Sequence, residues 1–164
     1  MYFEYKLYRG NRTTKISAEH FNAFASPNYP AIAESGVHLK VNEELLFHKS
    51  GTKKLKVNTA FDDHVVIIKM FPGINESVLQ AVLHIPNLKG VVLETYGSGN
   101  APTEDWFIAT LEKAIEKGLH VVNVTQCSGG SVNMDKYETG LELKKIGVIS
   151  VSYTHLRAHE TSLH

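Results

Sequence analysis

Between His64 and Ser150, short apolar strands alternate with helical stretches, and no other feature of the 164-residue chain constrains its fold as strongly. Val65-Val-Ile-Ile-Lys-Met-Phe71 reads as a buried strand closed by Pro72-Gly73. Asn75 is placed to cap a helix carrying Val78, Leu79, Val82 and Leu83 on one face and ending before Pro86. Gly90-Val-Val-Leu-Glu94 is the next strand, and a helix is predicted from Thr103 to Lys117. That helix presents Trp106, Phe107, Leu111, Ala114 and Ile115 at three- and four-residue spacing and stops at Gly118. Leu119-His-Val-Val-Asn-Val124, a helix from Tyr137 to Ile146 and a strand at Gly147-Val-Ile-Ser150 complete the rhythm. Such alternation predicts an α/β fold, a Rossmann-like parallel sheet joined by right-handed crossovers.

Upstream the pattern differs. Met1 to Tyr8 is dense in β-formers and reads as one strand, followed by the polar run Arg9-Gly-Asn-Arg-Thr-Thr-Lys15. Ala25 to Asn28, with Pro30 beyond, is a loop. Between Glu34 and Thr59 short alternations sit among Asn, Lys, Ser and Gly, which predicts a connector and a domain boundary. Seventeen Lys and Arg balance seventeen Asp and Glu, so the electrostatic footprint of a nucleic-acid binder or polybasic membrane ligand is absent. The longest apolar run, Val65 to Ile68, is too short to span a bilayer, and Met1-Tyr-Phe-Glu-Tyr-Lys6 lacks the features of a signal peptide. The single cysteine, Cys127, excludes an internal disulfide. The expectation is a protein of a reducing compartment.

Ligands of open parallel sheets bind outside the carboxyl ends of the strands, which directs attention to three loops. They are Phe71-Pro-Gly73, Thr95-Tyr-Gly-Ser-Gly-Asn-Ala-Pro102 and Thr125-Gln-Cys-Ser-Gly-Gly130. Gly97 and Gly99 after a strand invite a dinucleotide reading, but Pro102 holds the third glycine position and the next strand ends without a ribose-binding acid. Asn100 offers a donor and an acceptor to a small polar ligand. Lys15 alone would be a solvated charge, Cys127 a small buried hydrophobe, and Glu94 at a strand end a mild site signal. His155 and His159 stand four apart beside Glu160, but neither zinc-helix order is present, so no metal site is expected.

Five blocks in order resemble the bacterial type I, cytoplasmic L-asparaginases. They are Leu7-Tyr-Arg-Gly-Asn-Arg-Thr-Thr-Lys15, Ala23-Phe-Ala-Ser-Pro-Asn28, Tyr96-Gly-Ser-Gly-Asn-Ala-Pro102, Val124-Thr-Gln-Cys127 and Tyr137-Glu-Thr-Gly140. The resemblance covers Leu7 to Ser150. It implies hydrolysis of L-asparagine to L-aspartate and ammonia through a threonine acyl-enzyme, without a cofactor, in the cytoplasm, by a dimer or tetramer. Lys15 matches the relay lysine, desolvated so that it tunes a weak hydroxyl nucleophile. Asn100 matches a loop residue that reaches a neighbouring subunit's active site and touches substrate. Thr14, Glu94, Tyr96 and Cys127 match positions at or near an asparagine-binding regulatory pocket of some type I members, where Glu94 stands in place of the arginine of the regulated enzymes. An archaeal amidotransferase subunit shares this architecture, but the Arg9 to Lys15 block favours the free asparaginase.

The same resemblance divides the chain into the end of an α/β N-terminal catalytic domain (1–33), a linker (34–60) and an incomplete C-terminal α/β domain (61–150). The family's nucleophile motifs, Gly-Gly-Thr-Ile-Gly and His-Gly-Thr-Asp-Thr, do not occur in this sequence. The chain is therefore expected to be an internal fragment, inactive alone. The alternative is a non-catalytic module that binds asparagine or a partner subunit. Val151-Ser-Tyr-Thr-His-Leu-Arg-Ala-His-Glu-Thr161 resembles a translated transposase sequencing adapter, so 151–164 is expected to be a non-native tail.

Overall fold

The computed structural model describes residues 1–46, 57, 59–135 and 138–151. The chain divides into two compact units, Met1–Ala60 and Phe61–His164.

The first unit is built from short antiparallel strands. The stretch expected as one strand is instead a hairpin, β1 (Tyr2–Phe3) and β2 (Lys6–Leu7), with Tyr2 opposite Leu7. Its two-residue turn puts Glu4 at φ 44° and Tyr5 at φ 64°. Left-handed backbone costs a side-chain-bearing residue roughly 1–2 kcal/mol, which is why Glu-Tyr carries no turn signal to a reader of sequence. After β3 (Thr14–Lys15) and β4 (Phe24–Ala25), the strands β5 (Ala33–Ser35) and β6 (Leu39–Val41) form a second hairpin. One sheet has the order β1-β2-β5-β6, while β3 and β4 pair as a ladder of their own. Residues 34–41 of the expected connector thus contribute to this sheet, and no α-helix occurs among the described residues of the unit.

The second unit carries the expected parallel sheet, in the order β10-β9-β8-β7. Its strands are β7 (Val65–Lys69), β8 (Gly90–Thr95), β9 (His120–Thr125) and β10 (Ile149–Ser150). The helices are α1 (Glu76–Leu83), α2 (Asp105–Glu116) and α3 (Glu138–Lys145). Asn75 caps α1 as its sequence requires, its Oδ1 accepting from the Val78 amide at 3.0 Å. Gly118, at φ 95°, ends α2: its amide donates to the Ile115 carbonyl and that of Leu119 to Ala114.

Because the strands follow one another across the sheet, right-handed crossovers place all three helices on one face. Leu79, Phe107, Leu111 and Leu143 are fully buried there against Ile68, Met70, Val91, Leu93 and Val121. Each such large apolar side chain contributes about 2 kcal/mol of transfer free energy. Single-sided coverage corrects two expectations. β7 is not buried on both faces, since Val65 and Ile67 are 48% and 64% exposed. Val78 lies at the margin of the apolar face of α1 and is exposed, while Leu79, Val82 and Leu83 turn inward. At the start of β7, Lys89 Nζ lies 2.8 Å from Asp62 Oδ2 and His64 Nδ1 2.8 Å from Asp62 Oδ1. The Lys89 ammonium and the His64 amide hold the Asp62 carboxyl well below the usual carboxylate range.

Candidate functional site

In the first unit, the block from Arg9 to Lys15 has a structural reason for its composition. The 3₁₀ turn Gly10–Arg12 projects two guanidinium groups onto the Tyr29 ring, Arg9 at 4.6 Å and Arg12 at 5.4 Å from its centroid. Arg9 Nη2 also donates to the Leu45 carbonyl at 2.8 Å, and Thr13 Oγ1 to the Arg9 carbonyl at 2.8 Å. These contacts deliver Thr14 and Lys15 onto β3, with Thr14 opposite Ala25 and Lys15 opposite Phe24. Phe3 packs edge-on against Phe24 of that ladder, their ring centroids 5.0 Å apart. The Lys15 side chain is exposed in this chain, where among the described residues β3 pairs only with β4.

In the second unit, Glu94, Tyr96, Asn100 and Cys127 all lie at the carboxyl edge of the parallel sheet. Tyr96 and Asn100 close a tight loop: the Tyr96 amide donates to the Asn100 carbonyl at 2.9 Å and the Asn100 amide to the Tyr96 carbonyl at 2.8 Å. The Gly99 amide donates to the same Tyr96 carbonyl at 3.0 Å, so the amides of Gly99 and Asn100 are both engaged within the loop. Asn100 is half-buried, and its side-chain oxygen accepts from the Thr139 hydroxyl at 3.5 Å. Glu94 is half-buried on the face opposite the helices, with Lys69 and Val124 as its lateral neighbours in the sheet. Cys127 is exposed, which corrects the reading of a small buried hydrophobe: it stands beyond the end of β9, on the loop rather than in the sheet. Next to Tyr96, a cavity of about 340 Å³ opens between the Phe71–Ile74 turn and Pro102. Another cavity of comparable size lies at the opposite end of the sheet, bordered by His84 and Lys113.

Sequence reasoning missed the polar groups beneath these loops. Thr95, Asn123 and Thr125 are buried at 0, 0 and 2% exposure. Thr95 Oγ1 donates to Asn123 Oδ1 at 2.7 Å. Thr125 Oγ1 donates to the Gly97 carbonyl and accepts from the Cys127 amide at 3.0 Å. Gln126 Nε2 donates to the carbonyls of Met70, at 2.6 Å, and Glu94, at 2.9 Å, tying together the ends of three strands. The one signal available was an asparagine inside the apolar run Val121-Val-Asn-Val124. Tyr137, His155 and His159 lie outside the described residues, as does 152–164 of the expected tail. Among the described residues, one group has metal-ligand spacing, the exposed Asp62 and Asp63 with the half-buried His64, and Lys89 and His64 already engage the Asp62 oxygens.

These features define an α/β protein with a parallel sheet whose candidate site is assembled from strand-end loops. Its sequence matches a family profile described as the glutaminase/asparaginase C-terminal domain over residues 64–163, and one described as asparaginase, N-terminal, over residues 1–47. The chain belongs to the glutaminase/asparaginase family. It is 40% identical to L-asparaginase 1 of Escherichia coli over 165 residues, covering 100% of this chain and 48% of that protein. It is 41% identical to the mouse 60 kDa lysophospholipase over 150 residues, 92% of this chain and 26% of that protein. The crystal structure of L-asparaginase I from Vibrio cholerae superposes with a TM-score of 0.81 at 33% identity, covering 99% of this chain and 55% of that one. The chain thus spans about half, or less, of the length of the curated relatives it matches. Among the described residues no helix is long and apolar enough to cross a membrane.

Proposed function

We propose that this chain is the relay-lysine and C-terminal portion of a cytoplasmic L-asparaginase, working as a dimer or tetramer on free L-asparagine. The observation that carries the reading is the delivery of Thr14 and Lys15 onto β3 by the Arg9, Arg12 and Tyr29 framework, within residues matched to the family's N-terminal domain. In this reading a threonine supplied by the remainder of the enzyme attacks the side-chain amide carbon of asparagine. Its hydroxyl proton passes to the relay that includes Lys15, and the C–N bond breaks with release of ammonia. Water then cleaves the ester, which returns the threonine hydroxyl and releases aspartate. Asn100, with donor and acceptor on one side chain, contributes to recognition of the polar substrate. At Glu94, where the resemblance implies an arginine in the regulated enzymes, a carboxylate would repel asparagine's own carboxylate, so activation by asparagine is not expected.

A chimaera tests the reading: residues 1–150 of this chain replace the segment of the E. coli enzyme that they match. Ammonia release from asparagine is the expected result, whereas the isolated chain should release none above a heat-killed control. In the chimaera, Lys15→Ala should lower kcat by about 10²–10⁴-fold with KM within a few-fold. An unchanged kcat removes Lys15 from the relay. A folded chimaera that binds asparagine without turnover supports a binding module instead.

A further inference from the structure

The buried hydroxyl of Thr125 meets both strand-end loops at once. Thr125 is the last residue of β9, directly opposite Thr95, and is 2% exposed. Its hydroxyl proton goes to the carbonyl of Gly97, inside the Asn100 loop, and its oxygen takes the amide of Cys127, at the root of the next loop. A hydroxyl carries one proton and two lone pairs, so this geometry spends its donor on one loop and an acceptor site on the other. The Asn100 loop needs such an external anchor. Gly97 and Gly99 adopt φ 50° and 121°, and glycine loses more conformational freedom on ordering than any other residue. A β-branched side chain at a buried strand end is a stiff anchor, because its χ1 is restricted and water does not compete for its bonds. Further along the loop, Asn133 donates its amide to the Ser98 carbonyl at 2.9 Å. At Gly99 a Cβ would stand 2.9 Å from Val132 Cγ1. The loop is therefore seated against residues 125–133 along its length.

We infer that Thr125 is a positioning residue that fixes the Asn100 loop and the Cys127 loop relative to each other; its consequence for catalysis rests on the asparaginase reading above. Loss of the hydroxyl frees the Gly97 carbonyl and the Cys127 amide together, and the Asn100 side chain loses its fixed origin.

Hydrogen exchange of backbone amides, followed by NMR on the chain as it stands, tests this without any substrate. In Thr125→Val, which keeps the shape and removes the hydroxyl, the amides of Gly99, Asn100 and Cys127 should exchange about tenfold faster, the change expected for one hydrogen bond of ordinary worth. The amides of Leu93 and Val121, in mid-strand, should change by less than about twofold. Thr125→Ser should restore the original rates. Uniform acceleration across the sheet, or acceleration at Cys127 alone, would overturn the proposal. In the unsubstituted chain the Thr125 hydroxyl proton should be slow enough to observe, with a nuclear Overhauser effect to the Ser98 amide. Its absence overturns the inference even if the valine variant does not fold. In the chimaera, Thr125→Val should raise KM for asparagine about tenfold with kcat within twofold; an unchanged KM denies the loop its role in binding. An inactive chimaera with the exchange pattern intact would count against the asparaginase reading and leave the positioning role standing.

Discussion

Gly140→Ala is the substitution for which local and tertiary physics disagree in sign. Gly140 lies inside α3, and in an isolated helix replacing an interior glycine by alanine gains about 1 kcal/mol. In the folded unit, a Cβ at this position would stand 2.5 Å from the Met134 carbonyl oxygen, 2.8 Å from its Cα and 3.0 Å from its carbonyl carbon. All three are backbone atoms, so no rotamer change relieves the clash. Reaching ordinary van der Waals contact near 3.4 Å requires a relative shift of about 0.9 Å. That shift must be taken up by α3 or by the turn carrying Met134, and Leu143 and Met134 are buried in the same core at 0 and 4% exposure. Overpacking of this kind costs roughly 1–3 kcal/mol. Set against the helix gain, the net expectation is a loss of up to about 2 kcal/mol. For a unit of about a hundred residues each kcal/mol lost lowers Tm by roughly 4–8 °C. Trp106, the single tryptophan, sits on α2 in the same unit and reports its unfolding by fluorescence. A Gly140→Ala variant more stable than the parent by the full helix gain of about 1 kcal/mol would refute the close approach of α3 to Met134.

Three further outcomes follow from the same geometry. Asn75→Ala removes the acceptor for the Val78 amide and should cost about 1 kcal/mol in urea unfolding, with Asn75→Asp close to neutral; equal loss in both variants would discount the cap. Cys127 should react with Ellman's reagent in the native chain, one thiol per molecule, and a thiol that titrates only in denaturant would contradict its exposed position. Ile67→Lys, on the open face of the sheet, should increase the monomer fraction in size-exclusion chromatography while changing stability by less than about 0.5 kcal/mol; a cooperative loss of structure would show that this face is covered.

The elements of the second unit were legible because each is decided within a few residues. A run such as Val65-Val-Ile-Ile, the spacing of Phe107 and Leu111, the Asn75 cap and the Gly118 stop act through the backbone and its nearest neighbours. The hairpin at Glu4-Tyr5 was not legible, since its left-handed turn opposes the preference of both residues and is held by the pairing of β2 with β5. For the candidate site, the blocks around Lys15, Asn100 and Cys127 stood out as a resemblance, whereas the groups that seat them did not. Thr95 meets Asn123, and Thr125 meets Gly97, across a separation of 28 residues in each case. No local pattern records such a pairing.

By itself, then, the sequence determined the alternation of strands and helices, the parallel sheet and the family to which its blocks belong. Tertiary structure alone decided which face of that sheet stays open, that Cys127 and Lys15 stand exposed, and that one threonine hydroxyl joins two loops. The division has one physical cause. Periodicity and capping are read out over a single turn or strand, but burial and hydrogen-bond satisfaction depend on atoms that only the register of β8 against β9 brings together.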